Sequence, residues 1–188
     1  MLGYIEKQFD ELIACLSDLK NEAGKVREAA AVCILALKQG NKIIFCGNGG
    51  SAAQAQHLAA ELVGRYKIDR PAMNAISLTV DTSNLTAIGN DYGYKAVFSR
   101  QLEGIGKPGD VLIGLSTSGR SENVLEAFSQ AKKMGIHTLA LCGGNGGPMA
   151  DMADVAILAP AKTSAHIQEM HITIGHVICD LVEQAFYR

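Results

Sequence analysis

The stretch Gly47-Asn-Gly-Gly-Ser-Ala-Ala-Gln-Ala-Gln-His-Leu-Ala-Ala-Glu-Leu-Val-Gly-Arg-Tyr66 follows the apolar run Lys42 to Cys46 and decides how the chain is read. A β-type run, a glycine turn closed by a hydroxyl residue and an alanine-rich helix together make an anion site, because the first amides of a helix have no partner within it. On a helical wheel, Gln54, His57 and Glu61 fall within about 60° of one another while alanine, leucine and valine fill most of the rest. Gln56 breaks the pattern. A helix this apolar is expected to be buried, with its narrow polar stripe facing a cleft. His57 and Glu61 sit one above the other with roughly 6 Å of rise between them. That spacing suits a metal ion, an acid/base pair or a plain hydrogen bond between neighbours, and the phosphate-type turn just upstream weighs toward chemistry.

On the C-terminal side the pattern alternates. It predicts strand 42–46, helix 51–64, strand 74–78, a helix near 82–89, helix 94–105, strand 111–115, helix 121–135, strands 137–142 and 154–158, and a last helix over 164–187. Short unbroken apolar strands such as Val111 to Leu115, separated by helices, indicate a parallel sheet covered on both faces. Punctuation agrees at Lys107-Pro108-Gly109-Asp110 and at Gly143 to Pro148. The expected fold is α/β, a doubly wound five-stranded parallel sheet of order 2-1-3-4-5. In that order the loops after strands one and three leave side by side at the switch point, so Asn48, Gly49, Gly50 and Ser51 should share a ligand with residues 116–121. On the N-terminal side, Ile5, Phe9, Leu12, Ile13, Leu16 and Leu19 mark a helix over 4–20, and Val26, Ala29, Ala30, Cys33, Ile34 and Leu37 mark another over 22–38. Two helices ahead of the first strand exceed what one layer needs, so the first is expected to pack on another copy. A single domain over 1–188 follows, with 1–40 as a helical extension and 41–188 as the α/β core.

Ser116-Thr117-Ser118-Gly119-Arg120-Ser121 ends the third strand and opens the next helix. A cap explains Ser121 but leaves Ser116, Thr117 and Ser118 without a need, whereas a phosphate uses them all. Asn90 and Asp91 lie between the two loops and fit either sugar hydroxyls or an ordinary turn. In the last helix Ile167, Met170, Ile174, Val177, Ile178, Leu181 and Val182 form the apolar face, with Gln168 and His176 on the other side. About 12 Å of helix separates those two. His171 borders the core and reads as a packed histidine.

The chain has 188 residues, 48% of them hydrophobic, with a formal net charge of −2. Such a chain can bury one substantial core, and the absence of a basic stripe argues against a nucleic-acid partner. Its longest aliphatic run, Ala29 to Leu37, is far short of a membrane span. No leader-type pattern is read, and a cytoplasmic location is expected. The five cysteines, odd in number and without Cys-x-x-Cys spacing, read as reduced core thiols. A dinucleotide fingerprint at Gly47, Gly49 and Ala52 lacks its acidic partner some 20 residues on, and no Gly-Lys-Ser/Thr follows the turn to make a P-loop.

The segments 46–51, 57–65, 89–93, 116–121 and 167–171 together resemble the phosphoheptose isomerases of the sugar isomerase (SIS) domain family, through nearly the whole chain. The resemblance implies conversion of sedoheptulose 7-phosphate to D-glycero-D-manno-heptose 7-phosphate, a precursor of lipopolysaccharide-core and other surface glycans. It implies that Asn48, Gly49, Gly50, Ser51, Asn90 and Asp91 contact substrate, and that Ser116, Thr117, Ser118 and Ser121 grip its phosphate. It further implies zinc held by His57, Glu61, Gln168 and His176, an acid/base pair of Glu61 and His176, a supporting contact from Arg65, and a homotetramer. His166 stands where the family pattern has arginine. Some relatives in the family are non-catalytic, binding a protein partner as the DnaA-initiator-associating proteins do; the presence here of Glu61, Gln168 and His176 points away from them.

Overall fold

The computed structural model describes residues 1–187. Its elements run α1 (Leu2–Leu19), α2 (Ala23–Lys38), β1 (Ile43–Gly47), α3 (Gly50–Val63), β2 (Ala75–Ser77), α4 (Thr82–Tyr92), α5 (Ser99–Ile105), β3 (Val111–Ser116), α6 (Glu122–Lys133), β4 (His137–Gly143), α7 (Gly147–Met152), β5 (Val155–Ala159) and α8 (Ser164–Tyr187). The sheet is parallel throughout, in the order β2-β1-β3-β4-β5. The order expected of a doubly wound sheet is the one found.

Side chains alternate across each strand, so one sheet produces two cores. Ile43, Phe45, Ile113, Leu115, Leu139 and Leu141 point into a layer closed by α2, α3 and α8. Ile44, Cys46, Leu112, Ala140 and Cys142 point the other way, onto α5, α6 and α7. Both faces are covered, which is why these strands read as unbroken apolar runs. Close approach matters at two glycines. A Cβ on Gly114 would stand 2.5 Å from the Phe128 ring, and one on Gly175 would stand 2.5 Å from Leu58, so α8 lies hard against α3.

The register pairs Gly47 with Leu115, bringing the ends of β1 and β3 together. The loops that follow them therefore open at one place. Three features depart from the periodicity. Helix 82–89 extends through Tyr92, taking in Asn90 and Asp91, and is capped by the Asp81 side chain, which accepts from the Asn84 amide at 2.9 Å. The predicted helix 94–105 divides into a 3₁₀ turn at Tyr94–Ala96, entered from Gly93 at φ 84°, and α5, which starts after Phe98. The 143–153 segment, read only as a turn, holds α7, started by Gly146 in a left-handed conformation and Pro148 in the first turn. The N-terminal helices behave differently from each other. α2 contributes Val26, Ala29, Ala30, Cys33 and Ala36 to the core, whereas α1 buries no residue and leaves Leu2, Tyr4, Ile5, Phe9 and Ile13 exposed. Among the described residues no helix is long and apolar enough to cross a membrane.

Candidate active site

Because Gly175 admits Leu58, the polar stripe of α3 runs along the flank of α8. There His57 Nε2 lies 3.0 Å from His176 Nε2 and 3.0 Å from Glu61 Oε1. The three ligand atoms lie within 4.8 Å of one another, the one such cluster of histidine, cysteine and acidic residues among those described. Two imidazoles and a carboxylate form a donor set used by catalytic zinc, and ligands at zinc distances stand about 3.3 Å apart on a tetrahedron's edge. The residues fit a metal. Burial first, and then the His57 imidazole, pull the His176 pKa below the usual histidine value, although Glu61 opposes them. A neutral imidazole is what a metal ligand or a base requires.

Gln168 enters at the other end of the same helix pair. Its amide lies against Gly50, where a Cβ would stand 2.6 Å from Nε2, and its backbone carbonyl accepts from Gln54 Nε2 at 2.6 Å. Gln168 thus stands over the glycine turn, about two helical turns from His57. Gly49 takes φ 55°, a conformation that favours glycine, and α3 starts with no side-chain cap. The amides of Ser51 and Ala52 donate to the carbonyls of Asn48 and Gly49, both at 3.0 Å, so the turn offers an anion the positive end of the helix dipole.

Across the switch point, the 116–121 turn is preorganised by its own hydroxyls. Ser116 Oγ accepts from the Gly119 amide at 3.1 Å and pairs with Ser121 Oγ at 3.0 Å, and Ser118 Oγ accepts from the Arg120 amide at 3.2 Å. Ser121 occupies the N-cap position of α6 yet makes no cap hydrogen bond. Its hydroxyl is spent on Ser116, so the start of α6 has no side-chain cap. Asn48 ties the two loops together. Its amide exchanges two hydrogen bonds with the buried Asn123, at 2.9 and 2.8 Å, and Tyr94 Oη donates to Asn48 Oδ1 at 3.1 Å.

The structure therefore brings His57, Glu61 and His176 together, and sets Asn48, Gly49, Gly50, Ser51 and Gln168 at the adjoining helix start. Ser116, Thr117, Ser118 and Ser121 sit on the neighbouring turn. Asn90 and Asp91 lie in the exposed last turn of α4, hydrogen-bonded to each other at 2.7 Å, and Arg65 is exposed just past α3. His166 Nδ1 lies 2.7 Å from Glu169 Oε2. His171 is fully buried and its pKa is drawn down to about 4 by burial, as a packed neutral histidine should be. Asn123, Tyr94 and Tyr66 escaped the sequence reading. Asn123 sits two residues beyond the serine turn, and the one available signal was its place on the apolar face of its helix, four residues before Ala127.

A parallel 2-1-3-4-5 sheet with a serine turn and a glycine-led helix at its switch point defines a class of sugar-phosphate domain, and the SIS domain family model matches residues 7–143. The chain belongs to that family. It is 56% identical over 187 residues to the phosphoheptose isomerase of Akkermansia muciniphila, covering 100% of this chain and 99% of the relative. The solved phosphoheptose isomerase of Neisseria gonorrhoeae is 42% identical, with a TM-score of 0.92 over 97% of this chain and 98% of that one. That of Francisella tularensis is 35% identical, with a TM-score of 0.94 and the same coverage.

Proposed function

We propose that this chain is an aldose–ketose isomerase that converts D-sedoheptulose 7-phosphate to D-glycero-D-manno-heptose 7-phosphate, supplying heptose for surface glycans. The observation that carries the reading is the meeting of Glu61 and His176, from remote parts of the sequence, on a helix pair whose other end opens beside a turn of phosphate-binding type. Full-length identity to phosphoheptose isomerases supports it. The reaction removes a proton from C1, passes through an enediol and returns a proton to C2, while O1 loses a proton and O2 gains one. A carboxylate and an imidazole suffice for these transfers. Glu61 moves the carbon-bound proton and His176 serves the oxygens. The helix start at Gly49 to Ser51, with Gln168 above it and Asn90 and Asp91 beyond, receives the sugar; Ser116, Thr117, Ser118 and Ser121 receive the phosphate, with Arg65 as a supporting contact.

His57, Glu61 and His176 would hold one zinc ion per subunit, and zinc, when bound, polarises the carbonyl and stabilises the enediolate. Gln168, the fourth ligand that the resemblance implies, stands over Gly50, about two helical turns from His57. A carboxylate held on a metal would be a weaker base, so the ligand and base roles of Glu61 would compete. The working form is a homotetramer in the cytoplasm. Support comes from the uncovered apolar side of α1, the apolar cleft of about 280 Å³ that Leu16, Leu19, Val26 and Val177 line between α1, α2 and α8, and five unpaired cysteines. Purified protein should isomerise sedoheptulose 7-phosphate, with zinc in stoichiometric amount by elemental analysis and a tetramer by light scattering. A folded protein inactive on that substrate would overturn the assignment and favour a binding role.

A further inference from the structure

His57 and Glu61 stand on α3 and His176 on α8, so the shape of the triad depends on what fixes one helix against the other. Beyond the end of α3 the chain runs through Gly64 to Arg70 along α8, and this segment makes a dense set of contacts, buried at its Arg70 end. Arg70 Nη2 donates to the backbone carbonyl of Glu61 at 2.9 Å and Nη1 to that of Leu62 at 2.8 Å, taking up carbonyls that a helix end leaves without partners. Arg70 Nε donates to Glu183 Oε2 at 3.0 Å, and both side chains are 1% exposed. Glu183 also accepts from the amides of Tyr66, Lys67 and Ile68 at 3.1, 2.8 and 2.8 Å. Burial pushes its pKa up, but the amides and the guanidinium outweigh this and hold it below the usual carboxylate value. On α8, Glu183 lies two turns beyond His176 and on the same face. The Tyr66 ring, whose own amide is held by Glu183, lies in an offset stack on the His176 imidazole, with centroids 5.6 Å apart and planes at 29°. Lys67 and Asp180 add an ion pair of 2.8 Å one turn from His176.

We propose that Tyr66, Arg70 and Glu183 form a positioning brace for the triad: the buried ion pair fixes the end of α3 that carries Glu61 to α8, and the Tyr66 ring sets the plane of His176. A buried ion pair is a poor device for stability alone, since apolar residues of the same volume often do as well. Here its contacts converge on the backbone of one triad member and on the ring packed against another. Groups behind a metal ligand orient it and tune its affinity. The inference rests on the reading that the triad holds the metal.

The test is a calorimetric titration of the metal-free protein with Zn²⁺, comparing wild type with Tyr66→Phe, Tyr66→Leu and Glu183→Gln. Circular dichroism melts and steady-state kinetics accompany each variant. Tyr66→Leu should bind zinc about 10–100-fold more weakly. Its kcat should fall, while KM, governed by the distant phosphate turn, stays within about twofold. Tyr66→Phe keeps the ring and should keep wild-type affinity, and Glu183→Gln should weaken zinc binding as Tyr66→Leu does. If Glu183→Gln does not fold, the Tyr66 pair decides. Wild-type zinc affinity and kcat in Tyr66→Leu, or equal impairment in Tyr66→Phe, overturns the brace. A wild type that isomerises without binding zinc counts against the metal reading instead, and the brace is then judged on the kcat of the two Tyr66 variants.

Discussion

In the turn from Ser116 to Ser121 the hydroxyls are neutral and partners lie within five residues, whereas His57 and His176 of the triad meet across 119 residues of sequence. A phosphate brings its own charge and needs only dipoles aimed at it, which a short loop beside a helix start can supply. Proton transfer and metal binding need titratable side chains held at fixed separation, and two helices hold it only if something buried locks them. The Arg70–Glu183 pair and the Leu58–Gly175 contact are that lock. The phosphate end is a local structure, while the reacting end is a relation between distant parts of the chain.

The comparison can be broken most sharply at Glu61. Glu61→Gln removes the proton acceptor but preserves shape, so kcat should fall by about 10²–10⁴ with KM little changed. Near-normal turnover in an assay on sedoheptulose 7-phosphate would remove Glu61 from the chemistry.

Next in size is a stability effect from His171, buried behind the site. The unfolded histidine takes up a proton below about pH 6.5, while the folded one, at about 4, does not. The native state is therefore at full strength above the unfolded pKa and loses up to about 3 kcal/mol as pH falls from there to the folded pKa. His171→Leu should flatten the pH dependence of Tm over this window. An unchanged slope would show that another group carries it.

At the phosphate end the effect should be smaller and fall on binding. Ser121→Ala removes one hydroxyl from a charged ligand, a loss of about 1.5 kcal/mol, so KM should rise about tenfold with kcat nearly constant. A kcat effect with unchanged KM would erase the distinction between the two ends. Smallest is Tyr94→Phe, which deletes the hydrogen bond to Asn48 and should cost about 1 kcal/mol, a few-fold in KM. No change would make Tyr94 a bystander.

Much of this was open to reading. Alternating apolar runs and helical periods gave the layer order, since a strand buried on both faces can hardly be written otherwise. The glycine turn and serine turn were visible because each is contiguous. His57 and Glu61 were visible as an i,i+4 pair, but their partner His176 came from the family resemblance alone, because nothing in one dimension says which face of α8 meets α3. Gln168 shows the same limit: its type was plain, but its place over Gly50, two turns from the triad, follows from the parallel packing of the two helices. Asn90 and Asp91 looked like a cap before a helix and proved to end one, since Gly93 shifts the boundary past them.

Periodicity and glycine placement, both local properties of the backbone, were enough to determine the layered sheet, the switch point and the two anion-type loops. Tertiary packing alone decided that His176 faces His57 within one chain, that Asn48 is held by Asn123, and that a buried Arg70–Glu183 pair ties α3 to α8. Those facts are distances between remote segments. They arise when side-chain volume, as at Gly175 and Leu58, selects one way for two helices to lie together.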